Sequence, residues 1–358
     1  MPVVPTIAAR FPLVARKRPP AKPLDARVMR LAGLAETAHR EHDPEKASMV
    51  FNGAALVASD CADAALAELW CHRHANLYLN RAVLNGYTAR FALEPVVNLA
   101  RLRIRAGDGE RAHRLLTDLY HAVVNSDPIV ISGLEIHPRQ LPAEAEEREQ
   151  ITNWLRNVLL SDGTRALTIN GRWTDAMTHV QRYDGIGPTL RDGRQVAVVA
   201  HLIHGDTPAA TALLNRITIE QPWEELVRDL LYGWSSATDD RSRTDGRELI
   251  GRVSNMAPGS GLSVFRTRLV LTALDLSATV AAGLIDCLAN EVIQEQDANA
   301  ARDLLNHPAV GPEHHGPLRQ MVSASGLGLG QLPKPARHTL SSALDLAATV
   351  IRTSQTNR

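Results

Sequence analysis

The sequence predicts an all-α protein, a solenoid of stacked helical hairpins, and three observations lead to this fold class. A turn-forming Gly is followed five residues later by Ala, and four further on by an apolar residue, at Gly107, Gly171 and Gly205. The last two glycines lie 34 residues apart, a period typical of helix-turn-helix units stacked on one another. Aromatic residues make up only 4% of the chain, which favours aliphatic helix-on-helix packing. From Ala112 to Val123, apolar residues recur at the helical period.

The balance of charge limits the classes of partner. The chain carries 39 basic and 39 acidic residues, so we expect no whole-chain attraction to nucleic acid or to an anionic membrane. No apolar run approaches about 20 residues, the length of a membrane-spanning helix. Cys61, Cys71 and Cys287 show no C-x-x-C spacing and are typical of buried or free thiols in a reducing compartment. We therefore expect a cytoplasmic protein with no nucleic-acid or membrane partner.

Residues 1–23 are predicted to form a disordered or partly ordered N-terminal arm. This arm contains several prolines and the basic cluster Arg16-Lys17-Arg18. Its apolar residues precede the basic ones, the reverse of the order in a secretory signal. A solvated tail is the favoured interpretation, and contact of the cluster with a polyanion is the alternative.

Five helices are predicted next. The first ends at Asp43-Pro44, which supplies an N-cap and a first-turn proline for the second. A degenerate form of the turn phrase, Ser59-Asp60, precedes the third helix. The fourth and fifth helices flank Gly107. The predicted ranges are about 25–41, 44–59, 62–80, 88–105 and 109–125.

The pattern breaks between residues 127 and 141. This stretch is β-branched, contains Gly133, and is closed by His137-Pro138. We predict an insertion folded against the helical stack, with Asp127, Ser132, Glu135 and His137 as its polar side chains. Long irregular segments in a helical scaffold are often functional, and a structural cover over the edge of the stack is the alternative.

Helical patterns then continue to the C-terminus. The two best repeats are predicted at about 165–185 and 193–219, and Pro222 ends the second. The turn phrase is not evident beyond it, so residues 223–358 are predicted as a divergent helical region that continues or caps the stack. Further helices are predicted at about 143–160, 223–236, 246–256, 262–282, 284–295, 298–306, 314–324 and 338–353.

The turn phrase resembles the tetratricopeptide repeat. In that family a small residue, a turn Gly, an early Ala and a terminal Pro occupy fixed offsets. The matching positions here are Ala100, Gly107, Ala112 and Leu116, then Gly171, Ala176 and Val180, then Gly205, Ala210, Leu214 and Pro222. The resemblance implies a right-handed solenoid over residues 24–222, with a protein or peptide bound in a groove lined by the first helix of each unit.

The resemblance also implies which residues line that groove. Counting back from the turn glycines gives Glu94, Val97, Arg101, Ile104, Arg105 and Arg165. Arginine offers a planar pair of donors, so such a groove would suit a carboxylate, a phosphate or an acidic peptide tail. The alternative is that these arginines are ordinary solvent-facing residues.

Three functions follow as expectations. The leading one is a cytoplasmic adaptor or scaffold that binds a protein or peptide without turnover. The second is an all-α enzyme, or the substrate-holding subunit of a two-protein enzyme, acting on a small polar metabolite. Glu135 and His137 are then the first acid-base candidates. The third is a sensor module of a signalling system.

No cofactor or metal is expected. Cys71 with His74, and His39 with His42, form pairs of possible ligands on helices, but neither pair belongs to a complete zinc set. His314 and His315 are predicted to lie in a loop.

Overall fold

A computed structural model describes residues 3–80, 84–142, 144–236, 246–256, 259, 261–277 and 283–354. Within these ranges the protein is built from α-helices, with a single two-stranded sheet. The all-α class is therefore confirmed. None of the helices described is both long and apolar enough to cross a membrane.

The helices follow one another along the chain with short connections. In chain order they are α1 (Val3–Ala8), α2 (Leu24–Glu41), α3 (Pro44–Asp60), α4 (Ala64–Leu79), α5 (Gly86–Arg105), α6 (Gly109–Asn125), α7 (Ala145–Val158), α8 (Thr164–Thr168), α9 (Trp173–Arg182), α10 (Asp192–Ile203), α11 (Thr207–Leu214), α12 (Pro222–Ser236), α13 (Gly246–Ser254), α14 (Ser263–Leu276), α15 (Leu284–Glu295), α16 (Ala298–Leu305), α17 (Pro312–Ser325) and α18 (Lys334–Thr353). A π-helical turn at Leu159–Gly163 joins α7 to α8. The parts of the predicted helices at residues 143 and 278–282 lie outside the described residues.

The chain divides into two compact units that are not contiguous in sequence. Unit 1 comprises Met1–Lys22 and Gly171–Ser325, and unit 2 comprises Pro23–Asn170 and Gly326–Arg358. The boundary that the sequence places after residue 222 therefore falls inside unit 1. The predicted C-terminal region is shared between the units, because its last helix, α18, belongs to unit 2.

Unit 2 is a series of helices closed by the end of the chain. From α2 to α6 each helix packs on the next, and α18 packs on both α2 and α3. The core is aliphatic and alanine-rich, with a few large side chains such as Phe51 and Tyr78. Cys61 and Cys71 are buried free thiols in this unit.

The 127–141 insertion is a β-hairpin that covers part of unit 2. Strand β1 (Ile129–Ile131) pairs antiparallel with β2 (Leu134–Ile136). Ser132 and Gly133 both adopt positive φ between the strands, as a tight two-residue hairpin turn requires. Ile131, Leu134 and Ile136 are buried, and the hairpin packs on α4 and α6. The structure thus gives this segment the covering role that the sequence left as an alternative.

One turn design recurs in both units. A residue in the left-handed conformation is followed by an Asp N-cap, and the Ala four residues after that Asp is fully buried. The Asp carboxylates accept hydrogen bonds of 2.9–3.3 Å from backbone N–H groups in the first turn of the next helix. The five examples are His42-Asp43 with Ala47, Ala62-Asp63 with Ala67, Gly107-Asp108 with Ala112, Gly205-Asp206 with Ala210, and Gln296-Asp297 with Ala301.

The Gly171 turn departs from this design, since Arg172 stands at the Asp position. Its glycine still has a φ of 70°, and Ala176 is fully buried. The degenerate turn that the sequence places at Ser59-Asp60 in fact lies at Ala62-Asp63. The turns are unevenly spaced along the chain, so the 34-residue period holds between Gly171 and Gly205 only.

Unit 1 is also a series in which neighbours pack. From α9 to α17 each helix contacts the next, and α10, α12, α14 and α16 also contact one another in sequence. The N-terminal arm belongs to this unit: α1 packs on α14, and Phe11, Leu13 and Ala21 are buried. The described part of the arm is therefore held by protein and is not a solvated tail.

Candidate functional site

The structure does not expose all of the residues proposed for the Arg-containing groove. Val97 is fully buried in the core of unit 2, and Ile104 is buried as well. Neither side chain is available to a ligand, so their assignment to a groove is wrong. Both lie on the core-facing side of α5, whose apolar positions recur at the helical period.

The charged members of that set have partners within unit 2. Arg101 Nε lies 2.9 Å from Asp162 Oδ2, and Arg105 Nη1 lies 2.6 Å from Asp60 Oδ1. Glu94 accepts a 3.0 Å hydrogen bond from the Asn52 side-chain amide. Asp162 pairs with Arg101, whereas Asp60 is shared between Arg105 and the buried Arg27. Both guanidinium groups of the proposed groove are therefore already engaged by carboxylates within the unit. Arg165 lies exposed on α8.

Glu135 and His137 do lie together, on the hairpin. Their Oε2 and Nε2 atoms are 3.5 Å apart, but the Glu135 side chain is 72% exposed. Buried Gln140 accepts from the His137 backbone N–H and donates to the Leu79 carbonyl oxygen. The pair sits on a water-exposed hairpin that Gln140 fastens to α4, and not in the enclosed setting in which acid-base chemistry is effective.

Cys71 and His74, one of the two candidate metal-ligand pairs, lie in the core of unit 2. His74 is buried and stacks on Phe51, with ring centroids 4.9 Å apart. Burial lowers the pKa of His74 to about 3, and its Nε2 has no hydrogen-bond partner among the described residues. Cys71 is also buried, which raises the pKa of its thiol to about 12. These are core side chains.

A different trio does converge in unit 1. Among the described residues, Asp286, Glu313 and His314 form a group whose possible ligand atoms all lie within 4.8 Å of one another. His314 Nε2 is 2.6 Å from Asp286 Oδ1, and both carboxylates are exposed. His314 and His315 lie in the first turn of α17, so their prediction as loop residues is wrong. A hydrogen bond between His314, which is half-buried, and the exposed Asp286 accounts for this arrangement.

The most elaborate polar site in unit 1 holds part of the chain itself. The N-terminal segment, residues 9–22, is described throughout, and from Leu13 onward it forms neither helix nor strand. Phe11 and Leu13 are buried, and Pro12 between them is half-buried. Phe11 packs on Trp234 of α12, with ring centroids 5.9 Å apart.

Gln195, in the first turn of α10, holds the backbone of this segment. Its Oε1 accepts from the Leu13 N–H at 2.7 Å, and its Nε2 donates to the Leu13 carbonyl oxygen at 2.7 Å. The second Nε2 hydrogen reaches the Leu190 carbonyl at 2.8 Å. Gln195 is fully buried, so every polar atom of its amide must be satisfied, and the segment supplies two of the three partners. These bonds recognise an extended backbone whatever its side chain.

Two acidic residues bind the side chains of Arg16 and Arg10 in the segment. Arg16 donates through both of its Nη atoms to the two oxygens of Asp192, one of them at 3.0 Å. Arg10 Nη1 lies 2.6 Å from Asp275 Oδ2 on α14. Asp192 is buried and Asp275 nearly so.

The second oxygen of Asp275 bonds to His307. His307 Nδ1 accepts from the Ala309 N–H at 3.2 Å, so Nε2 carries the proton that it donates to Asp275 Oδ1 at 3.1 Å. Burial alone would raise the pKa of the Asp275 carboxyl. The hydrogen bonds from His307 and Arg10 outweigh it and hold that pKa below its usual range. Asp275 is therefore an anion at neutral pH.

The end of the segment is held by its backbone again. The Ala21 N–H donates to Asp297 Oδ1 at 3.2 Å, and the Ala21 carbonyl accepts from the Ala298 N–H at 3.2 Å. Between the two backbone contacts, the Arg18 N–H donates to the Gly261 carbonyl at 3.0 Å. The segment is thus fixed at both ends, with direction as well as position defined.

We call the residues that hold it the segment-binding surface. They are Asp192 and Gln195 of α10, Trp234 of α12, Asp275 of α14 and Asp297 before α16. Four alternate helices contribute, and each packs on the next of the four. The surface combines backbone hydrogen bonding, an aromatic contact and negative charge, which are the components of peptide recognition.

The positive charge of α5 does not point to this surface. Two local signals point to it. Gln195 directly precedes the apolar helical run 196–200, and Arg10 and Arg16 flank the apolar stretch 11–15. Neither signal shows which distant residues would meet. Comparisons with protein families, with curated proteins and with solved structures find no match.

Proposed function

We propose that the protein is a helical adaptor that binds an extended segment of another protein on the segment-binding surface of unit 1. The observation that carries this proposal is the Gln195 amide, which bonds both the N–H and the carbonyl of Leu13. A fully buried amide that reads both backbone groups of one residue is suited to any extended chain of the right side-chain pattern.

The energetics also support a binding role. Burying Phe11 and Leu13 contributes about 1.5–3 kcal/mol for each side chain. The Arg16 contact to Asp192 has two hydrogen bonds between charged groups. The Arg16 side chain is 53% exposed, so solvent screening reduces their contribution below the usual value of about 1.5–3 kcal/mol for each. A free peptide that repeated these contacts would lose freedom on binding, so only part of this sum would appear as affinity.

The arrangement of helices supports the same proposal. The surface is contributed by α10, α12, α14 and α16, the alternate members of a series in which neighbours pack. In a stack of helical hairpins, one helix of each pair faces the same side. The tetratricopeptide resemblance placed the ligand on such a face. The proposed ligand site is now in unit 1, and its charge is acidic.

The test is direct binding of a peptide by the full-length chain. The variant Phe11→Ala with Arg16→Ala weakens the internal segment and leaves the surface intact. We expect a labelled peptide with the sequence of residues 9–22 to bind this variant saturably, measured by fluorescence anisotropy. Adding Gln195→Met, which keeps the volume and removes both bonds, should weaken binding about ten-fold or more.

Gln221→Met is the matched control, because Gln221 is exposed in unit 1 and its described hydrogen bonds are backbone bonds to Glu224. Circular dichroism of each variant confirms that the fold is retained. Absence of saturable binding to the folded Phe11→Ala, Arg16→Ala chain would contradict the proposed function.

A further inference from the structure

We infer that the partner's segment is basic, with two arginines six residues apart around an apolar residue, and that residues 9–22 occupy its place in the free protein. This inference rests on the proposed function and names the class of partner. It follows from the carboxylates of the segment-binding surface, which would lose their cationic partners if a peptide without arginines replaced residues 9–22.

The first step is the charge of Asp192. Its carboxylate is buried, and Arg16 is its bidentate partner. A partner segment without a cation at this position would leave a buried carboxylate unpaired, which is strongly unfavourable. The fork of two parallel hydrogen bonds selects arginine over lysine.

The second step is the position of Asp275. His307 satisfies one oxygen, and the other faces Arg10 at 2.6 Å. This carboxyl is an anion, so a partner must supply a cation here too. The positions of the two cations are fixed relative to Gln195, which bonds both backbone groups of Leu13, the residue midway between them. The pattern required is therefore Arg-x2-apolar-x2-Arg, as in Arg10, Leu13 and Arg16.

The third step is competition. The chain's own segment carries the required pattern and is tethered beside the surface, so it acts at an effective concentration of roughly millimolar. A partner must displace it, and the apparent affinity falls by the fraction of protein with the surface open. The middle of the segment offers a starting point for displacement, because Lys17, Arg18 and Pro19 are exposed.

Three labelled peptides with the sequence of residues 9–22 test the inference against full-length protein. One is native. The second carries Arg10→Gln and Arg16→Gln, and the third carries Lys17→Gln and Lys22→Gln. The second and third peptides each lose two positive charges. Only the second loses them at the positions that face carboxylates of the surface. Each is titrated into the wild-type chain and into the Phe11→Ala, Arg16→Ala chain.

We expect the Phe11→Ala, Arg16→Ala chain to bind the native and the lysine-substituted peptides within about three-fold of each other. The arginine-substituted peptide should bind about ten-fold or more weakly than either. The wild-type chain should bind the native peptide about ten-fold or more weakly than the double variant does. Introducing Asp192→Asn into the double variant should remove the preference for arginine at the second position.

The outcomes separate this inference from the proposed function. Equal weakening by the arginine and lysine substitutions would overturn the inferred pattern and leave the adaptor proposal standing. Equal binding of the native peptide by both chains would overturn the competition. Binding of none of the peptides would overturn the proposed function itself. Concentration-dependent dimerisation without peptide binding would assign the surface to a second copy and overturn the inference.

Discussion

At the scale of single residues, Gln195 and Asp192 determine what unit 1 can hold. Both lie in the first turn of α10, and both are buried. A buried amide or carboxylate is tolerated only when its hydrogen bonds are satisfied, and here the N-terminal segment satisfies most of them. These residues therefore bind the segment and also depend on it.

This dependence gives a prediction for stability. Gln195→Met leaves the backbone groups of Leu13 and the Leu190 carbonyl without their partner. We expect the midpoint of urea unfolding to fall, corresponding to a loss of about 1–3 kcal/mol. Gln221→Met, at an exposed position, should stay within about 0.5 kcal/mol of wild type. Equal effects of the two substitutions would contradict the described role of Gln195.

A second residue-scale prediction concerns His74. Its folded-state pKa of about 3 lies below the ordinary value of 6.5, so the unfolded chain binds the proton first as pH falls. The contribution of neutral His74 to the free energy of unfolding is fully present above pH 6.5. It is lost progressively as pH falls toward 3. Between pH 7 and pH 5 the loss should be about 2 kcal/mol. His74→Leu should remove this component of the pH dependence.

The midpoints of urea unfolding at pH 7 and at pH 5 measure this loss of stability. His338→Leu is the control, because His338 is exposed on α18 of the same unit. That substitution should leave the pH dependence as it is in wild type. A His74→Leu chain with an unchanged pH dependence would show that His74 is not the group responsible.

At the scale of elements, the turn design explains which helices could be predicted. Helix ends depend on local groups, so Asp43-Pro44 and the caps at Asp108 and Asp206 mark boundaries that the sequence shows directly. The turns at His42, Ala62 and Gln296 were not recognised as members of the same set. Their left-handed residue is not glycine, and the shared feature is the Asp that follows.

The Asp caps carry a prediction of their own. Asp108→Ala removes the acceptor for the Arg111 N–H at the start of α6. We expect a loss of about 1 kcal/mol in unfolding free energy. Asp118→Ala lies on the exposed face of the same helix and should be neutral or slightly stabilising, because alanine is the better helix former there. A loss of stability of the same size in both variants would argue against the cap.

The hairpin shows where prediction from local pattern ends. The β-branched run and Gly133 indicate a break in the helices, and the structure contains one there. Whether such a segment is a site or a cover depends on what lies beneath it, and that is set by tertiary packing. Ile131, Leu134 and Ile136 face the core of unit 2, while Glu135 points to solvent.

At the scale of the whole molecule, the chain visits each unit twice. It starts in unit 1, builds most of unit 2, returns at Gly171 and ends with α18 in unit 2. A reading along the sequence gives contiguous domains, so neither the arm in unit 1 nor α18 against α2 could be predicted. Those contacts join residues far apart in sequence, such as Arg10 and Asp275.

A net charge of zero also concealed a local complementarity. Arg10 and Arg16 of the N-terminal segment pair with Asp275 of α14 and Asp192 of α10 within unit 1. Composition predicts no whole-chain field. It does not reveal that a basic segment and an acidic surface are matched within one unit.

Hydrogen exchange of the full-length wild-type chain tests the central claim most directly. The chain is measured alone and with a ¹³C-labelled peptide of the sequence of residues 9–22, so that the two copies differ in mass. The peptide is present at several times the roughly millimolar effective concentration of the tethered segment. We expect the Leu13 and Ala21 amides to be protected in the free protein and to exchange rapidly once the peptide is present, while α10 stays protected. Protection of residues 9–22 that does not change with added peptide would contradict the claim that this surface binds segments from other chains.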